Sequence, residues 1–210
     1  MPNWVINRVT VSGKESNIKK FADKCLNKEV GGDFVPFSLD RVIRMPKSLN
    51  IESLSRAKWG MEYLLADDEK KAEMMRGVRK PMTKRDYNKT LSLGRKALKN
   101  VEKYGFPTWY EWRLKNWGTK WDVSDCDAEI SPTSVLINFQ TAWSTPFVAL
   151  QTMSKKFKVD VCVEYADEDL GSNCGVYNLS NGELVCEESR DFDFACDMWG
   201  YDPEDFEDED

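Results

Sequence analysis

The strongest constraint on the fold lies between residues 134 and 168, where three hydrophobic periodicities follow one another without a break. SVLINFQTAW (134–143) is β-rich and apolar enough to be a buried strand. STPFVALQTMSKKF (144–157) switches to helical spacing, with Ser144 or Thr145 placed as N-cap and Pro146 at the first helical position. VDVCVEYADE (159–168) returns to a strand. Connections this short make a β-α-β unit, with a helix packed on a sheet.

The N-terminus echoes this pattern. NWVINRVTV (3–11) alternates as a strand, with Trp4, Ile6, Val9 and Val11 facing a core and a register change near Asn7 and Arg8. Ile18, Phe21, Ala22, Cys25 and Leu26 recur at helical spacing. Gly31-Gly32-Asp33 ends that helix, and FVPFSLDRVIRMP (34–46) reads as a second extended segment closing at Pro46.

Residues 50 to 105 form a helical insertion. One helix starts at Asn50 or Ser53 and is broken by Pro81. A second runs from an N-cap at Thr83 to a stop at Gly105, with Tyr87, Leu91, Ala97, Leu98 and Val101 on its apolar side. A short helix then ends at Gly118, which supplies a positive φ. WDVSDCDAEIS (121–131) alternates as a strand, and NCGVYNLSNGELVCEE (173–188) is a hairpin turning at Asn181-Gly182. The expected class is α+β: a ferredoxin-like antiparallel sheet covered by helices on one face, with the insertion, a C-terminal hairpin and an acidic tail. Residues 1–187 make one domain and 188–210 the acidic, aromatic-rich tail.

Composition narrows the chemistry. The 210 residues include no histidine, which removes Ser-His-Asp and Cys-His nucleophile pairs and histidine-ligated metals. The six cysteines include no C-x-x-C pair and no zinc spacing, and in the reducing compartment expected for this chain they stay thiols, with Cys162 as a small buried hydrophobe. No apolar run spans a membrane, and the first residues read as a strand rather than a leader, so a cytoplasmic protein is expected. Charge is segregated. Residues 70–103 hold twelve Lys/Arg against three Asp/Glu, and residues 187–210 hold twelve Asp/Glu against one Arg.

Four constellations can carry function. NWGTKWD (116–122) and FQTAWSTP (139–146) gather Trp117, Lys120, Trp121, Thr141, Trp143 and Ser144. These residues either lock a loop onto the sheet or form a stacking pocket for a nucleotide, with Lys120 meeting an anion or pairing with Asp122. Glu164, Asp167, Glu168 and Asp169 lack the order of a calcium loop, so a solvated connection is expected there, with no metal and no cofactor. Arg95, Lys96 and Lys99 supply the electrostatic part of nucleic-acid binding, within residues 70–103. Asp191, Phe192, Asp193, Phe194, Trp199, Tyr201 and Phe206 combine carboxylates with aromatic anchors for a protein partner.

MPNWVINRVTVSG at the start, NWGTKWD, FQTAWSTP and DLGSNCGVY (169–177) occur in an order that resembles the YubB-type family of phages, plasmids and prophages. The resemblance covers about residues 1–46 and 106–187. It implies a ferredoxin-like fold and a mobile-element origin, and carries over no catalytic residue. The expected function is therefore binding without catalysis: engagement and inhibition of a host protein of antiviral defence in the bacterial cytoplasm. Nucleotide sequestration and nucleic-acid binding stand as the alternatives.

Overall fold

The computed structural model describes residues 3–26, 36–52, 55–78 and 82–206. The expected helix end at 31–33, the start at Ser53, the break at Pro81 and the last four tail residues lie outside them. The chain divides into two compact units, Met1–Arg44 with Lys115–Asp210, and Met45–Leu114.

The first unit is built on a six-stranded sheet: β1 (Trp4–Ser12), β2 (Ser124–Ile130), β3 (Ser134–Ala142), β4 (Asp160–Asp167), β5 (Cys174–Ser180) and β6 (Glu183–Ser189). The spatial order is β2-β3-β1-β4-β5-β6, and every neighbouring pair is antiparallel. With α1 (Glu15–Cys25) and α7 (Phe147–Phe157), the first four strands make the β-α-β-β-α-β arrangement of a ferredoxin-like fold. The β5–β6 hairpin extends it, turning at Asn181 and Gly182, both at positive φ.

The core forms where α1 and α7 cover one sheet face. Val5, Val9 and Val11 of β1 meet Val135, Ile137 and Phe139 of β3, and Val161 and Val163 of β4. Phe157, Phe21, Phe37 and Phe139 form a chain of ring contacts from α7 through α1 to the sheet. β1 has no register change: its odd residues all point inward, and the buried Asn7 takes its place in that row. Trp4 and Ile6 lie on the opposite face. Cys162 also faces away from Val161 and Val163 and is half-buried rather than a core residue. All six cysteines are free.

The segment read as a second strand is not one among its described residues. Phe37 makes a single bridge to Leu26, and Leu39–Val42 forms a one-turn helix, α2. Asp122, distant in sequence, accepts hydrogen bonds from Ser38 Oγ and the Leu39 amide, both at 2.7 Å. That carboxylate anchors the start of α2 and favours a helical turn over an extended chain.

The second unit contains α3 (Ser55–Leu65), α4 (Asp68–Arg76) and α5 (Lys84–Tyr104). The single helix expected over 51–77 is two, because Asp67 accepts the Lys70 amide and caps a new start. Thr83 and Gly105 bound α5 as expected. The buried stripe of α5 differs from the apolar side read in the sequence. It is Thr90, Gly94, Ala97 and Asn100, small or hydrogen-bonded residues, while Val101 is exposed. The reason is a close crossing with α3 at Gly60. Tyr87 instead joins Tyr63 and Trp59 in a ladder of rings. Helix α6 (Trp109–Asn116) leads the chain out of this unit.

Candidate functional site

The turn after α6 is pinned by a polar clasp. Trp117 is fully buried, and its indole N–H donates to the Ile43 carbonyl at 2.9 Å. Gly118 has φ +88°, and a side chain there would press on the backbone at Pro146 and Phe147, where α7 begins. Thr119 Oγ donates to the Ala142 carbonyl at 2.8 Å, and Ser144 Oγ to the Gly118 carbonyl at 2.7 Å. Thr141 Oγ accepts from Asn7 Nδ2 and donates to the Ser144 carbonyl, both at 2.9 Å. Thr145 Oγ pairs with the Tyr177 hydroxyl at 2.9 Å, and burial pushes that phenol above its ordinary pKa.

These bonds correct the capping assignment. Pro146 is the N-cap of α7 and makes no side-chain cap, because both hydroxyls upstream are committed to the clasp. They also separate the six ligand candidates. Trp117 and Thr141 are interior, and Ser144 binds the turn. Lys120, Trp121 and Trp143 remain together at the surface.

There the Lys120 ammonium lies between two indoles, 4.0 Å from the Trp121 ring centroid and 3.6 Å from that of Trp143. It does not pair with Asp122, which is engaged at α2. Trp4 packs on Trp121 at 5.8 Å. Trp143 adopts φ +73°, costly for a non-glycine residue, and its amide donates to the Asn3 carbonyl at 2.8 Å. The space between the rings thus holds this chain's own cation, and a flat ligand stacks there only if Lys120 leaves. Lys120→Ala should lower stability by about 1 kcal/mol, the sum of two exposed cation–π contacts. It should also change tryptophan emission of the folded protein. Native-state hydrogen exchange at the β1 and β3 amides checks the first and fluorescence of the folded protein the second, and Lys120→Arg should retain most of the stability.

The acidic loop is dispersed. Glu164 faces Arg8 at 3.8 Å, Asp167 accepts the Asp169 amide, and Asp169 accepts from Ser172 Oγ. Among the described residues no group of three Asp, Glu or Cys side chains is placed to hold a metal ion. Arg95, Lys96 and Lys99 are exposed on α5 and form no ion pair among the described residues. No described helix is long and apolar enough to cross a membrane.

The acidic segment builds a surface. Asp191 accepts the Phe194 amide and caps helix α8 (Phe192–Trp199). Ala195, Cys196 and Met198 are buried, and Ala195 and Met198 pack with Ala166 and Cys174. Ile6, Leu170, Phe194 and Trp199 flank them, so α8 covers one end of the sheet face that α1 and α7 leave open. The Trp199 indole donates to the Asp167 carbonyl at 3.0 Å. Two of the seven partner candidates, Phe194 and Trp199, therefore hold the segment down. Phe192, Tyr201 and Phe206 point outward at 37%, 50% and 45% exposure. Their rings still touch one another, Phe192 to Phe206 at 5.6 Å and Tyr201 to Phe206 at 5.9 Å. Exposed Asp193, Asp197, Asp202, Glu204 and Asp205 come from the same short stretch.

This division of labour has a local sequence signal, an i, i+3 spacing of Ala195 and Met198 between acids. The partnership of Trp4 with Trp121 has none, because the residues meet only through the sheet.

Residues 116–209 match the family model described as the ferredoxin-like domain in Api92-like protein. The match begins at the clasp and runs through α8. The crystal structure of the protein Api92 from Yersinia pseudotuberculosis is similar at 11% identity, covering 90% of this chain and 98% of that one, with a TM-score of 0.49. No curated protein matches.

Proposed function

We propose that this protein is a non-catalytic binding protein that docks a basic protein surface onto the exposed rings of Phe192, Tyr201 and Phe206. The carrying observation is that Phe206 holds the rings of Phe192 and Tyr201 in contact with its own while all three stay open to solvent, Phe192 at the start of a helix whose other side is packed on the sheet and the other two just beyond its end. Aromatic residues on an ordered support make efficient anchors, since little side-chain freedom is lost on binding. The carboxylates interspersed with them favour a cationic partner and steer its approach. The resemblance to YubB-type proteins of mobile elements makes a host protein the expected target, with an antiviral-defence component the first class to test and inhibition the expected consequence.

Truncation at residue 188 is a poor test, because α8 covers Ile6, Ala166 and Cys174 and its removal would expose core. The triple variant Phe192→Ser/Tyr201→Ser/Phe206→Ser changes only outward-facing rings. Affinity capture from a bacterial host lysate, at low and high salt, compares it with the unchanged protein. The expected result is a stoichiometric partner that is released by salt and bound at least about thirtyfold more weakly by the triple variant, the effect of losing one anchor worth about 2 kcal/mol. A partner retained equally by both proteins would place the interface elsewhere.

A further inference from the structure

The first unit is strongly acidic, with fourteen Lys/Arg against twenty-seven Asp/Glu, yet four of its cations converge on one cleft. The cleft has a volume of about 500 Å³ and lies where α1, α2 and α7 meet. Lys24 comes from the last turn of α1, Arg41 from α2, Arg44 from just beyond it and Lys156 from the last turn of α7. Asp40 is the one carboxylate among the described residues of the lining.

Two of the cations are held by backbone oxygens. Arg41 Nη1 donates to the Leu26 carbonyl at 3.1 Å, and Lys156 Nζ to the Val42 carbonyl at 2.8 Å. A neutral acceptor positions a cation without cancelling its charge. Among the described residues none of the four makes an ion pair. The negative ends of α1 and α7 offset part of the charge on Lys24 and Lys156, but Arg44 lies beyond any helix end. Buried Cys25 reports the convergence. Its thiol is pushed up to about 11 by burial, while Lys156, Lys24 and Arg41 each pull it the other way.

Like charges lining a concave surface focus a positive potential, and a bound anion relieves their repulsion. Arginine forks and lysine point charges together suit phosphate oxygens. The volume fits a small ligand, and among the described residues the lining contains no aromatic side chain on which a base could stack. We propose that this cleft binds a small oligophosphate through its phosphate oxygens, with Lys24, Arg41, Arg44 and Lys156 as the ligating groups.

Isothermal titration of the full chain with inorganic pyrophosphate and with tripolyphosphate tests this. Saturable one-to-one binding that weakens with salt is expected. Lys24→Ala/Arg44→Ala should weaken it about tenfold or more, as loss of charge-assisted contacts predicts. Both residues are exposed and make no side-chain hydrogen bond among the described residues, and circular dichroism checks that the fold is kept. Lys24→Arg/Arg44→Lys keeps both charges and should retain binding, and Arg95→Ala/Lys96→Ala/Lys99→Ala on α5 should leave it unchanged. Absence of saturable heat with both oligophosphates overturns the proposal. So does unchanged affinity in the alanine pair, a loss in the charge-keeping pair equal to that in the alanine pair, or an equal loss in the α5 variant. Stronger binding of single-stranded DNA at the same cleft would overturn it in favour of a nucleic-acid backbone.

Discussion

Trp117→Ala should destabilise the sheet-bearing unit by about 4 kcal/mol, near the top of what a single core truncation removes. Trp117 has no exposed surface and donates its indole N–H to Ile43. Its loss opens a cavity and strands a carbonyl acceptor, and both effects have the same sign. Trp121, 37% exposed, serves as the comparison: Trp121→Ala should cost about 1 kcal/mol. Because the chain has two units, a single unfolding curve would mix them. Native-state hydrogen exchange at the β1 and β3 amides reads the affected unit directly. Equal costs for the two substitutions would mean that Trp117 is not part of the core.

Gly94→Ala should destabilise the helical unit by about 2 kcal/mol, although alanine is the better helix former. A Cβ on Gly94 would lie 2.3 Å from the Gly60 carbonyl carbon and 2.5 Å from its oxygen. Reciprocally, a Cβ on Gly60 would lie 2.3 Å from the Thr90 carbonyl oxygen. Both contacts are with backbone, so no side chain can swing aside and α3 must move away from α5. Overpacking of this kind costs about 3 kcal/mol, against a helix-propensity gain of about 1 kcal/mol. Gly77 provides the control: its φ is −73° and its nearest Cβ contacts are at 3.6 and 3.7 Å, so Gly77→Ala should be neutral or mildly stabilising. Exchange at the α5 amides separates the outcomes. A stabilising Gly94→Ala would show that the two helices do not touch there.

The Gly60–Gly94 crossing shows why one face of α5 was misread. Hydrophobic spacing selects Leu91, Leu98 and Val101, as if burial always recruited the largest apolar groups. At a backbone-to-backbone contact it recruits the smallest, and Thr90, Gly94, Ala97 and Asn100 carry no hydrophobic signal strong enough to outweigh leucine. The register of β1 failed differently. Trp4, Val5 and Ile6 are apolar at both parities, which suggests a slip near Asn7. Both faces are in fact covered at that end of the strand, one by α1 and α7 and the other by α8. Asn7 can be interior because Thr141 and the Val5 carbonyl accept from its amide.

In the candidate surfaces, residue types were legible and their assignments were not. Serine, threonine and proline before α7 match a capping pattern, but the hydroxyls bind Gly118 and Tyr177, which no local window contains. Lys120 and Asp122 are two apart and of opposite charge, yet each finds a better partner across the fold.

What the amino-acid order determined by itself is whatever depends on neighbours a few residues apart. That includes the central strand–helix–strand, the Asn181-Gly182 turn, the Thr83 and Gly105 ends of α5 and the aromatic–acidic character of the last described residues. Tertiary structure alone decided which tryptophans are core and which are surface, and that α8 docks while Phe192, Tyr201 and Phe206 stay out. It alone brings Lys24, Arg41, Arg44 and Lys156 to one cleft. Local propensities act through the backbone over one or two turns, whereas burial and charge act through space, between residues the chain brings together only when it folds.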